Sequence, residues 1–151
     1  MRNAIEVTID ASGGRDKGKL FVITEMPAMR AEKWALRLLL ELMKSGMELP
    51  DEIANAGMAG VASLGLPAMG SLPWSVAEPL LDELLQCVEI VPDPKNRQIM
   101  RKLIEEDIEE IPTLLKLRVA VFKLHTSFLP AANRSESSQA TQAAAGAPVT
   151  A

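Results

Sequence analysis

The segment between Pro27 and Gly46 constrains the fold more than any other part of the chain. Proline suits the first position of a helix, where its missing N–H is not needed, and glycine suits the left-handed position that ends one. A helix is therefore predicted over about 27–45. On a helical wheel Arg30, Lys33, Arg37, Glu41 and Lys44 share one narrow face. Apolar side chains cover almost all of the remaining circumference.

The apolar residues of this helix form two stripes. The first stripe consists of Ala28, Ala31, Ala35, Leu38 and Leu42. The second consists of Met29, Leu36, Leu40 and Met43. One stripe is enough to attach a helix to a core. The second stripe has two interpretations: the helix is sandwiched inside its own domain, or it presents a surface to a partner or another copy of the chain.

A helix with the same excess of apolar residues is predicted near the end of the chain. Asp107 and Glu110 have capping-box spacing, and acidic side chains favour the positive end of a helix, so the helix is predicted over about 107–127. Its main stripe is Leu114, Leu117, Val121, Leu124 and Phe128. A second stripe is formed by Leu115, Val119 and Phe122. The second stripes of the two helices are the predicted partner-binding residues: Met29, Leu36, Leu40, Met43, Leu115, Val119 and Phe122.

The first part of the chain has the pattern of a β-hairpin. Residues 3–9 alternate apolar and polar side chains, as a strand with one buried face requires. The predicted inward side chains are Ile5, Val7 and Ile9. Residues 10–19 have a turn composition, and the apolar run 20–23 is the predicted second strand.

The middle of the chain gives weaker signals. Residues 50–73 are rich in Ala, Gly, Met and Leu, which is typical of a connector or of an adaptable contact surface. A helix is predicted over about 76–87, after a capping box formed by Ser75 and Glu78. Residues 87–91 are a predicted short strand. Residues 99–104 fit either its hairpin mate or a helix.

The whole pattern predicts an α+β fold that is mainly α with small β-hairpins. At 151 residues the chain has the length of one domain. We expect a compact helical domain over 1–129 and a disordered Ala/Ser/Thr-rich tail over 130–151. The net charge of -4 argues against nucleic acid as a partner. No apolar run reaches the roughly 20 residues that cross a bilayer, so no membrane association is expected.

No residue pattern assembles a catalytic, cofactor or metal site. The acidic residues between 105 and 110 lack the alternating ligands and internal glycine of a calcium loop. Cys87 and His125 are single and lie in no catalytic signature, and the lone cysteine fits a reducing cytoplasm. We therefore expect a protein that binds other proteins, without catalysis, cofactor or metal.

Three stretches resemble the tail assembly chaperones of long-tailed bacteriophages. They are TEMPAMRAEKWALR at 24–37, LLDELLQCVEIVPD at 80–93, and DIEEIPTLLKLR at 107–118 continuing to His125. The resemblance implies a helper in the host cytoplasm, absent from the mature virion, that binds the helical tape measure protein and brings tail tube subunits to it. Families of this kind also make a longer, frameshifted form.

Three alternatives remain beside this function. The chain could be a structural tail or connector component of the virion, or a phage regulator that binds a host protein. The second stripes could also serve self-association into a homo-oligomer.

Overall fold

The computed structural model of the protein describes residues 1–10 and 13–127. Its strands are β1 (Ala4–Thr8), β2 (Leu20–Thr24), β3 (Val88–Val91) and β4 (Arg101–Lys102). Its helices are α1 (Ala28–Lys44), α2 (Asp51–Ala54), α3 (Met58–Leu64), α4 (Trp74–Leu85) and α5 (Ile111–Thr126), with 3₁₀ turns at Leu66–Ser71 and Glu105–Asp107. The predicted α+β class and the N-terminal hairpin are confirmed. The tail predicted over 130–151 lies outside the described residues.

The N-terminal hairpin and the pair formed by β3 and β4 belong to a single antiparallel sheet with strand order β1-β2-β3-β4. The central pair is long-range: Phe21 of β2 lies opposite Ile90 of β3, and Ile23 lies opposite Val88. All four side chains are buried on one face of the sheet. Residues 99–104 supply a strand, not a helix, although only Arg101–Lys102 pairs with β3. Apolar side chains on β2 and β3 thus join the hairpins into one layer.

The edge strand β1 is less buried at its start than at its end. Ile9 is buried and Val7 is half-buried, and Ile5 faces the same side of the sheet as predicted, but its side chain is 37% exposed. Ile5 lies opposite Ile23 on a strand that has a neighbour on one side only. Side chains near the end of such a strand remain partly in water.

Helix α1 begins and ends close to its predicted limits. Pro27 precedes it, and Gly46 beyond its end has a φ of 97°. Its core face carries Trp34, Ala35, Leu38, Leu39 and Leu42, all buried. The Trp34 indole N–H donates to the Leu80 carbonyl at 3.0 Å and so fixes α1 to α4. Ala28, predicted in the core stripe, is exposed.

Two helix starts differ from prediction. Helix α4 begins at Trp74 after Pro73, and Ser75 lies inside the helix and does not cap it. Helix α5 begins at Ile111, four residues after Asp107, and Pro112 stands in its first turn. Proline lacks the N–H that a helix interior needs, so it fits the first turn and excludes a start at Asp107.

His125 fixes the end of α5 to the core. Its ring is buried, Nε2 accepts the Met26 backbone N–H at 2.8 Å, and Nδ1 lies 2.8 Å from the Val121 carbonyl. This pair of contacts assigns the ring proton to Nδ1, which donates to Val121, and requires a neutral imidazole. The ring therefore links α5 to the segment that enters α1.

The segment between α1 and α4 is folded against the other helices. Helix α3 contacts both α1 and α5, and Val61 and Met69 are buried. Gly60 lets α3 approach α2 closely, because a Cβ at this position would lie 2.2 Å from the Ile53 carbonyl oxygen. The close approach explains the glycine at 60 in physical terms.

Replacing Gly60 with alanine is expected to destabilise the fold by about 2 kcal/mol or more. Alanine normally favours a helix interior by about 0.5–1 kcal/mol, but here backbone of α2 must move to relieve the clash. Urea unfolding followed by circular dichroism measures the change. Gly70→Ala is the matched control, because nothing lies within 4 Å of its added Cβ. Equal stability of the two variants would contradict the packing of α2 on α3.

Candidate functional site

Four large apolar side chains of α1 project into solvent. The exposed fractions are 75% for Met29, 39% for Leu36, 63% for Leu40 and 46% for Met43. Together with Lys33, these residues are spaced alternately by four and three positions. This is the 3.5-residue repeat of a coiled-coil seam. The described residues leave the predicted second stripe of α1 open, in a form that suits lengthwise packing against another helix.

A mainly basic edge runs beside this stripe, formed by Arg30, Lys33, Arg37 and Lys44 together with Glu41. The Arg30 guanidinium donates to the side chain of Gln86, and Arg37 forms an ion pair with Glu83. Lys33 and Lys44 form no ion pair with residues 1–10 or 13–127. The positive charges of this edge favour a partner that carries acidic side chains beside its apolar seam.

A depression lies beside the first turns of α1. It has a volume of about 760 Å³ and is lined by Ala28, Ala31 and Leu36, and by Met58 at the start of α3. Leu36 belongs to both the depression and the α1 stripe. A helix seated on the stripe could therefore place a side chain into this depression.

The predicted stripe of α5 is exposed in part. Leu115 is 54% and Val119 is 42% exposed. Phe122 differs, because it is half-buried and packs against the core. An aromatic ring at the border of the buried face is large enough to reach the core. Ile111 precedes Leu115 by one turn and is 75% exposed, so the open α5 stripe is Ile111, Leu115 and Val119.

The α5 stripe begins at a groove that the sequence did not reveal. The groove lies between α4, β4, the 3₁₀ turn at Glu105–Asp107 and the start of α5, and has a volume of about 640 Å³. Its apolar lining consists of Leu85, Val88, Leu103, Ile104, Ile108, Ile111 and Leu114. The carboxylates at its rim are Asp82, Glu105, Glu109 and Glu110. The available signal is the spacing of Ile104, Ile108 and Ile111 among acidic residues, a pattern that also fits the start of a helix.

A buried carboxylate holds one wall of this groove. Asp16 is fully buried and accepts the backbone N–H groups of Glu109 and Glu110, each at 3.0 Å. The Lys19 ammonium donates to Asp16 at 2.7 Å and to the Asp107 carbonyl at 3.0 Å. Burial raises the pKa of Asp16, but the hydrogen bonds from Lys19, Glu109 and Thr113 outweigh it and lower the pKa from 3.8 to about 2.

A second carboxylate fixes the turn below the groove. Both oxygens of Asp107 accept from the Arg101 guanidinium at 2.7 Å, and one accepts the Ile104 N–H at 2.8 Å. The hydrogen bonds from Arg101 lower the pKa of Asp107. Asp107 thus stabilises the 3₁₀ turn and leaves the start of α5 to Asp16, which replaces the predicted capping by Asp107.

The side chains that could take part in catalysis or hold a metal ion do not come together. Both ring nitrogens of His125 are occupied by backbone, and burial raises the pKa of the Cys87 thiol. Within residues 1–10 and 13–127, no three His, Cys, Asp or Glu side chains are grouped to hold a metal ion. In the same ranges, no helix is long and apolar enough to cross a bilayer.

No protein-family model matches the chain, and neither a curated protein nor a solved structure matches it significantly.

Asp16 makes the stability of the protein depend on pH in the acid range. Because its pKa is lower in the folded state, its contribution is complete above its ordinary pKa of 3.8 and is lost as the pH falls to about 2. The lost contribution is about 2 kcal/mol. Urea unfolding between about pH 7 and pH 2 should show this loss of stability. The Asp16→Asn variant should be less stable than the natural chain at neutral pH, and its stability should lack most of this decrease in acid.

Asp10→Asn is the control for this measurement. The Asp10 side chain is 88% exposed, and its ion pair with Lys116 is long, at 3.8 Å. The control should keep the pH dependence of the natural chain. An Asp16→Asn variant that loses stability in acid as the natural chain does would contradict the role assigned to Asp16.

Proposed function

We propose that this protein is a tail assembly chaperone of long-tailed bacteriophages, which binds the tape measure protein and brings tail tube subunits to it during tail building. Two findings support the proposal. Residues 24–37, 80–93 and 107–125 resemble this family in its order. Helix α1 also carries a row of exposed apolar side chains with coiled-coil spacing.

The α1 stripe is the observation that carries the proposal. A tape measure protein is very long and largely helical, so before assembly it exposes apolar stripes along its helices. A chaperone must cover such stripes reversibly. Met29 and Met43 have flexible side chains that adapt to irregular apolar shapes, and Leu36 and Leu40 between them supply fixed apolar area.

In this proposal the protein acts by binding alone, without catalysis, cofactor or metal. It works in the host cytoplasm and leaves before the virion is complete. The α5 stripe of Ile111, Leu115 and Val119 is the second contact surface, for the tail tube protein or for another copy of the chain. A chaperone that joins two proteins needs two such surfaces.

Changing both Leu36 and Leu40 to Lys is expected to reduce co-purification with the tape measure protein at least about tenfold. Two charges would replace the apolar area at the middle of the stripe, while the buried face of α1 stays unchanged. The measurement is co-expression with the neighbouring tape measure gene, followed by affinity purification and circular dichroism.

Ser63→Lys with Ser75→Lys is the matched control, since both serines are exposed and the same charge is added outside α1. The control should retain the partner. If the Leu36 and Leu40 variant is helical and still binds, the stripe is not the docking surface.

Mass spectrometry of purified particles tests the other half of the proposal, because a chaperone is absent from them and a structural tail component is present.

A further inference from the structure

We propose that the groove between α4, β4 and α5 binds a short segment of a partner protein that combines apolar side chains with Lys or Arg. The site is separate from the α1 stripe, shares Ile111 with the α5 stripe, and does not depend on the tail assembly function. It rests on three properties of the groove: its apolar lining, the sign of its rim charges and the rigidity of its walls.

The lining provides the affinity. A volume of about 640 Å³ accommodates several side chains of a bound segment. Ile104 and Ile111 stand on the rim, 55% and 75% exposed, and Leu103 and Ile108 are half-buried behind them. Covering these side chains removes apolar area from water, which favours an occupant with Leu, Ile, Val or aromatic residues.

The carboxylates at the rim favour an occupant with positive charge. Asp82 stands on α4, and Glu105 and Glu110 stand on the opposite wall. Their carboxylates form no hydrogen bond or ion pair within the described residues, whereas the one lysine of the rim, Lys102, donates to the Gln86 carbonyl at 3.2 Å. Three unpaired carboxylates beside an apolar floor attract a Lys or Arg side chain and repel an acidic one.

The walls are held in place before anything binds. Asp16 fixes the backbone at Glu109 and Glu110, and the Arg101–Asp107 pair fixes the turn that carries Glu105. A rigid site loses little conformational entropy on binding, so a short segment suffices for measurable affinity.

A second copy of this chain is a poorer occupant. The net charge is -4, so two copies repel each other on average, and the rim adds its own carboxylates to that repulsion. The occupant that the charges favour is therefore a basic, apolar segment of another protein.

The test compares two fluorescent peptides of Leu and Ala residues, one carrying Lys and the other Glu at the same positions. Fluorescence anisotropy with the full chain should give saturable binding of the Lys peptide, at least about tenfold tighter than that of the Glu peptide. Raising the salt concentration should weaken the Lys peptide more. Equal binding of both peptides, or binding of neither, overturns the proposal.

Two variants locate the site. Asp82→Lys with Glu105→Lys should weaken the Lys peptide about tenfold, whereas Glu48→Lys with Glu78→Lys, which adds the same charge outside the groove, should weaken it much less. Ile111→Ser removes apolar area from the rim without touching the carboxylates and should weaken it about threefold. Binding that both groove variants leave unchanged overturns the proposal.

Sedimentation of the natural chain and of the Asp82 and Glu105 variant tests whether a second copy of the chain occupies the groove. The proposal expects the same mass for both at every protein concentration. A natural chain that dimerises, and loses its dimer in the groove variant, assigns the groove to a second copy and overturns the proposal.

Discussion

The buried carboxylate of Asp16 is the contact on which the arrangement around α5 depends. It joins the turn of the first hairpin to backbone N–H groups 93 and 94 residues later in the sequence. The same turn supplies Lys19, which reaches the Asp107 carbonyl. An unpaired buried carboxylate would be costly, so the first hairpin and the start of α5 must come together as a unit. The position of the groove follows from that contact.

Helix α4 separates two apolar surfaces of opposite charge. On one side, Glu83 forms an ion pair with Arg37 on the basic edge of α1. On the other side, Asp82 and Leu85 line the acidic groove. Electrostatic complementarity selects partners mainly by excluding the wrong ones. Under the two proposals, surfaces of opposite sign suit two different partners better than one extended partner.

The sequence predicted the features that depend on local pattern. The limits of α1, its two apolar stripes and the N-terminal hairpin follow from periodicity and from residues such as Pro27 and Gly46. The pattern left open whether the second stripe is exposed and whether residues 99–104 form a strand or a helix. The start of α5 was misplaced because two signals compete there, capping by Asp107 and the missing N–H of Pro112, and the proline decides. The groove and the burial of Asp16 were not predictable, because their residues come from elements far apart in the sequence.

An open apolar stripe is a hazard for any protein, because it can pack on its own copy as readily as on a partner. Lys33 occupies a seam position in the α1 stripe, and a charge there disfavours self-pairing while its long aliphatic stem still covers apolar surface. The carboxylates around the groove act in the same way on the other side of α4. The charges beside each surface disfavour self-association, and under the two proposals the same charges select the partner that can displace water from the apolar area.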